Sequence, residues 1–197
     1  FELSEIPESC FFYACGLGYH SLYLNGNRIA PDDWMTPSFT SYHKRCCYTA
    51  HTDLQKLLRI GKNVIGMVVA PGWRRNEGEY LKATGGREIP FMGRPRFTAV
   101  LELFGKNGKH ARICTDEKWE STRGAIVQTN IFQGETYDAR NEIPHWCTPE
   151  MAYGTGCRLA EPPAKAYAMD LQKLEPVQIG ERYRAQALTM PEQGRAI

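Results

Sequence analysis

The chain has no long apolar run, so no segment of it matches the hydrocarbon thickness of a bilayer. It has no basic cluster longer than Arg74-Arg75, and its 24 basic and 22 acidic residues leave a net charge of only +2. Nucleic acid and acidic membrane surfaces are therefore poor candidates for partners. Cys10, Cys15, Cys46, Cys47, Cys114, Cys147 and Cys157 form no Cys-x-x-Cys pair, and His20, His43, His51, His110 and His145 stand isolated. Neither a disulfide framework nor a zinc site is signalled. Cys10 and Cys15 lie in or beside apolar strand patterns and read as small core hydrophobes, since a catalytic thiol would need a His/Asp arrangement that nothing here supplies. Internal repeats and low-complexity tracts are also missing. Opening at Phe1 without Met or a signal segment, and stopping where a strand pattern is only beginning, the chain reads as a piece of a longer protein.

What is present is aromatic and β-forming. Hydrophobic residues make up 42% and aromatics 11% of 197 residues, enough for one good core and marginal for two. The organising stretch is 19–29. Leu22, Leu24 and Ile29 share one face, Tyr23 takes the other, and Asn25-Gly26-Asn27 supplies residues that tolerate positive φ, which predicts a β-hairpin. Residues 11–17 predict an aromatic strand feeding it. Two prolines and two acids in 31–37 predict an ordered loop. Residues 42–52 predict a strand, with Thr52-Asp53 capping a short helical turn over 54–58 that Gly61 ends. The β-branched run 63–70 is placed at the centre of a sheet.

Residues 71–95, rich in glycine and mixed charge, predict the longest loop. A second hairpin is expected from 97–104 and 110–115 about Gly105 to Gly108, followed by short strands at Trp119 and 125–130. Residues 161–176 read as a tether leading away, with strand patterns at 166–171 and 177–179. Short strands between turn signals, with little helical periodicity outside 54–58, predict an all-β antiparallel sandwich or jelly roll. A closed barrel is the alternative.

Four separated motifs resemble the N-terminal domain of bacterial α-L-rhamnosidases of glycoside hydrolase family 78. They are Gly18-Tyr19 with Leu22-Tyr23-Leu24-Asn25-Gly26; Thr36-Pro37 with Tyr42-His43-Lys44-Arg45; Gly61-Lys62-Asn63-Val64-Ile65-Gly66 leading to Gly72-Trp73; and Gly134-Glu135-Thr136-Tyr137-Asp138-Ala139-Arg140 with Pro144 and Trp146. The last is the most specific. The resemblance implies a jelly-roll-like, galactose-binding-like β-sandwich over 1–160, with 161–197 as linker and first strands of the next β-domain. It implies a non-catalytic accessory domain, because the hydrolytic carboxylates of that family belong to an α-helical toroid that nothing in this chain matches. Partners implied are rhamnose-containing glycans and sister domains, with an exposed apolar flank near the tail. Residence in the periplasm or outside the cell follows from the family's polymeric substrates.

Relatives assigned to carbohydrate-binding module family 67 bind rhamnose through calcium, a hard cation held by carboxylate and carbonyl oxygens. On that resemblance Asp32 and Asp33 are the candidate calcium ligands; the plain alternative is solvated turn formers. Trp34, Trp73 and Tyr80 are candidate stacking platforms for a pyranose. Trp73 directly follows a core strand and suits packing equally. Glu135 and Asp138, three apart on extended backbone, point to opposite faces, so Arg140 is read as locking the loop through a carboxylate or carbonyls rather than completing an acid/base pair. Two other roles stay open, a purely structural scaffold for the toroid and a free-standing glycosidase using Glu135 and Asp138.

Overall fold

The structure is a computed structural model that describes residues 1–42, 44–74, 95–131, 134–151, 158–159 and 168–186. Its strands in chain order are β1 (Glu2–Leu3), β2 (Ser9–Leu17), β3 (Tyr19–Leu24), β4 (Asn27–Arg28), β5 (Asp33–Trp34), β6 (Cys46–His51), β7 (Gly61–Lys62) and β8 (Ile65–Ala70). They continue with β9 (Arg96–Phe104), β10 (His110–Cys114), β11 (Glu120–Ser121), β12 (Ile126–Asn130), β13 (Gly134–Tyr137), β14 (Arg158–Leu159), β15 (Met169–Leu171) and β16 (Val177–Gln178). Only short 3₁₀ turns interrupt them among the described residues.

The two longest strands, β2 and β9, pair antiparallel from Ser9 opposite Phe104 to Leu17 opposite Arg96. They centre a five-stranded sheet of order β10-β9-β2-β6-β15, which faces a three-stranded sheet of order β4-β3-β8. Strand alternation sorts the side chains. Cys10, Phe12 and Ala14 of β2 and Ala99, Leu101 and Leu103 of β9 turn inward to meet Leu22, Leu24 and Ile29. Burying each large member contributes about 1.5–3 kcal/mol. The result is an all-β sandwich, and the free cysteines Cys10, Cys15, Cys46 and Cys147 are buried.

The β3–β4 hairpin forms as its sequence predicts. Leu24 pairs with Asn27, and Asn25 and Gly26 take φ of 50° and 80° in a two-residue turn of the primed type. The second hairpin also forms, with His110 opposite Phe104.

Four expectations are corrected. The apolar run 63–70 is not central: β8 pairs only with β3 among the described strands, and all six of its residues are half-buried. Its composition reflects packing against loop residues such as Trp146 and Cys147, which crowd Gly66. Thr52 and Asp53 do not cap the turn: it is a 3₁₀ segment, Gln55–Leu57, and the Thr52 hydroxyl donates to Asp53 instead. The strand foreseen over 42–52 begins only at Cys46, because the Lys44 and Arg45 amides turn back to Ser41 O at 2.8 and 3.1 Å, while the buried Tyr42 hydroxyl accepts from the Gly18 amide at 3.2 Å. The tail does not lead away. β15 runs parallel to β6, with Leu171 beside Tyr48, and β16 pairs antiparallel with β5, with Val177 opposite Trp34.

Candidate functional site

Three features of the chain build the rim around Trp34. The loop after the β3–β4 hairpin reverses through Ala30 and Met35, both at positive φ. It is tied to the sandwich by the His20 amide donating to Thr36 O at 2.7 Å and the Asp33 amide to Ala30 O at 3.1 Å. Arg28 reaches across it: its Nη2 donates to Asp33 O at 2.9 Å, and its guanidinium sits 4.8 Å from the centre of the Trp34 ring. Trp34 nevertheless remains 46% exposed, so an aromatic surface is open to solvent beside a charged group.

The tail completes this rim. Gln178 Nε2 donates to Asp33 Oδ1 at 3.0 Å, Arg182 Nη2 pairs with Asp32 Oδ1 at 3.3 Å, and the Ile179 amide donates to Asp32 O at 3.2 Å. Calcium takes about six to eight oxygen ligands. Here a guanidinium already meets one carboxylate, and among the described residues no three His, Cys, Asp or Glu side chains converge. The Asp32 carboxylate thus meets Arg182 and the Asp33 carboxylate accepts from Gln178.

The other candidates are placed elsewhere. Trp73 is half-buried on a 3₁₀ turn, 5.9 Å from the Phe39 ring and hydrogen-bonded to Tyr19, so packing engages it. Tyr80 lies outside the described residues. Beneath the Trp34 rim, His20, Arg28, Asp33, Thr36 and His51 line a cavity too small for a sugar ring. Burial holds the His20 imidazole at about 3, with His51 adding to the effect, and burial also lowers His51.

A broader cleft separates β8 from the β12–β13 ribbon and is lined by Met67, Gln128, Glu135, Tyr137, Glu142 and Trp146, among others. Glu135 lines it and Asp138 does not. Asp138 is instead clamped by Arg140, whose Nε and Nη2 donate to its two oxygens at 2.8 and 2.6 Å. That bidentate bond holds the Asp138 carboxyl below its ordinary range, the opposite of what a general acid needs. Tyr137 donates to Glu142 at 2.5 Å. The Arg140 lock agrees with the sequence reading, whereas the Arg28, Gln178 and Arg182 contacts were missed. Only the Arg28 contact has a local signal, as the residue that ends the hairpin.

The family model for the α-L-rhamnosidase N-terminal domain matches residues 5–181. The chain belongs to the α-L-rhamnosidase N-terminal domain family. An α-L-rhamnosidase of Formosa agariphila is 35% identical over 149 residues, 75% of this chain and 15% of that protein. One from Streptomyces avermitilis is 36% identical over 138 residues, 70% of this chain and 13% of that protein. Among solved structures, the Streptomyces avermitilis α-L-rhamnosidase complexed with L-rhamnose aligns over 98% of this chain and 18% of its own, at 30% identity and a TM-score of 0.83. The α-L-rhamnosidase of Dictyoglumus thermophilum aligns over 98% of this chain and 20% of its own, at 30% identity and a TM-score of 0.78. The family domain thus spans only about a fifth or less of the relatives it matches.

Proposed function

We propose that the chain is a non-catalytic accessory module of an α-L-rhamnosidase, and that it meets rhamnose-containing glycans at the Trp34 rim without calcium. The observation that carries this reading is the state of the carboxylates. Asp138 is held ionised by Arg140, and Asp32 and Asp33 are engaged by the tail. An inverting hydrolase needs one carboxyl kept protonated and another free to activate water. Sugar binding needs less: an exposed ring for the apolar pyranose face and a few polar groups beside it, which Trp34 and Arg28 provide. The L-rhamnose in the Streptomyces avermitilis enzyme supports the sugar class. On this reading the module works in the periplasm or outside the cell.

Isothermal titration with L-rhamnose, with and without calcium, tests it. Heat at millimolar sugar in both conditions, lost in Trp34→Ala, is expected. No heat in either leaves only the scaffold role, and heat only with calcium overturns the calcium-free rim. Release of nitrophenol from an aryl rhamnoside by the chain, abolished in Glu135→Gln, would overturn the non-catalytic assignment.

A further inference from the structure

The outer face of the five-stranded sheet carries a second apolar layer that stops halfway. At one end Cys15 and Leu17 of β2 and Cys46 of β6 are buried under Tyr42, forming a cluster separate from the sandwich core. Tyr48 packs against that cluster and begins a stripe of rings that continues across the sheet beyond Tyr42. Tyr48 meets Tyr13 edge-on at 6.1 Å, Tyr13 lies parallel to Phe11 at 6.5 Å, Phe11 meets Phe104 edge-on at 5.8 Å, and Phe104 stacks on His110 at 4.6 Å. The stripe therefore crosses β6, β2, β9 and β10. At its Tyr48 end β15 extends it with Leu171, 45% exposed, and at the other end Phe104 is 39% exposed.

The acidic group among the rings is neutralised from within. Glu102, opposite Phe11 in register, accepts from Arg112 Nε at 2.7 Å and bonds His110. A glycan platform couples ring stacking to polar groups ready to bind hydroxyls. Here the charged groups beside the rings face one another, so the complementary surface is apolar and brings no charge of its own. The relatives carry more than four-fifths of their length outside the part this chain matches, so such a surface is at hand in the same polypeptide.

We infer that the outer face of the five-stranded sheet, from Tyr48 across Tyr13 and Phe11 to Phe104, is a docking face that receives an apolar, uncharged surface of a neighbouring domain of the same polypeptide. This rests on family membership and on the packing of the face, not on the proposed sugar contact at Trp34. Docking buries the exposed ring edges and completes the layer that Tyr42 begins.

Hydroxyl-radical footprinting of the 197-residue chain and of the full-length protein that contains it provides the test. Oxidation of Tyr13, Tyr48 and Phe104 is expected to be roughly tenfold slower in the full-length protein, as for core positions that solvent no longer reaches. The double variant Phe11→Gln with Phe104→Gln, made in the full-length protein, is expected to restore labelling at Tyr13 and Tyr48. The same variant in the 197-residue chain, checked by circular dichroism, shows whether the sandwich itself survives. Equal labelling in both forms overturns the inference. So does protection of the isolated chain by self-association in sedimentation, which assigns the face to a second copy, or protection by a rhamnose-containing glycan, which assigns it to sugar.

Discussion

Val177 lies directly opposite Trp34 in an antiparallel pair, so two residues 143 positions apart in the sequence share one rim of the sandwich. The tail that carries Val177 also supplies Gln178 to Asp33 and Arg182 to Asp32. Because both contacts are exposed, Gln178→Ala and Arg182→Ala are expected to cost less than about 1 kcal/mol each in urea unfolding. Their effect is local: amide exchange at Ile179, which donates to Asp32 O, accelerates in Arg182→Ala while that of β2 amides does not. Unchanged exchange at Ile179 would show that the tail is held by its backbone pairing alone.

Asn63 is buried to 1% exposure, and its side chain makes four hydrogen bonds that tie its own turn to Asn25 of the hairpin. Its Nδ2 donates to Arg59 O at 2.7 Å and Gly61 O at 2.9 Å, and its Oδ1 accepts from the Arg59 amide at 2.9 Å and Asn25 Nδ2 at 2.8 Å. Asn63→Ala leaves these groups short of partners and is expected to destabilise the chain by about 2–4 kcal/mol. Chemical denaturation with unchanged slope checks the magnitude. A loss below about 1 kcal/mol would mean that water replaces the side chain.

Phe12 and Leu101 face each other in register across β2 and β9 at the centre of the core. Phe12→Ala is expected to cost about 3–5 kcal/mol and Leu101→Ala about 2–5 kcal/mol. Either is a large share of the 5–15 kcal/mol typical of a whole domain. Circular dichroism of Phe12→Ala should show a clearly lowered melting temperature, whereas Ile60→Ala, at an exposed position, should melt within a few degrees of the parent.

His20 sets an acid limit on stability. Its imidazole is held at about 3, against an ordinary value near 6.5, because burial penalises the charged form. Between those values the unfolded chain binds a proton that the folded chain does not, so stability is full above pH 6.5 and falls as pH drops toward 3. The slope attributable to this residue approaches about 1.4 kcal/mol per pH unit once the unfolded form is protonated. His20→Gln removes that slope: the difference in unfolding free energy between variant and parent is expected to shift in the variant's favour from pH 7 to pH 4.5. A pH-independent difference would show that His20 charges freely in the fold.

Buried thiols should be silent toward modifying reagents. Burial pushes Cys15 up to about 12 and Cys147 up to about 11, and Cys10 and Cys46 are also raised by burial. At pH 8 the exposed Cys114 is expected to react with a thiol reagent in the folded protein, while Cys15 and Cys147 react only after denaturant is added. Peptide mapping of the labelled sites decides it.

Much of this was legible in the residues. Asn25-Gly26 specified its hairpin because only turn residues accept two consecutive positive φ values, and the alternation around Phe12 and Leu101 specified which faces turn inward. The family resemblance, resting on motifs between Phe11 and Trp146 such as Leu22 to Gly26 and Gly134 to Arg140, is matched by the family model over the wider span 5–181. The strand patterns at 166–171 and 177–179 were legible and appear as β15 and β16, but strands of two or three residues do not specify their partners, so the tail's return was not legible. Nor was the edge position of β8, since an apolar run records that its faces are covered without recording whether a strand or a loop covers them.

The sequence by itself determined the class of fold and the identity of the core, because alternation, turn chemistry and apolar content act between near neighbours. Only the tertiary structure decided what the polar groups do. That Asp32 meets Arg182, and that Asn63 is a buried hub rather than a solvated turn residue, depends on partners brought together by chain closure. Such encounters obey geometry rather than spacing along the chain, and no pattern in the residues alone records them.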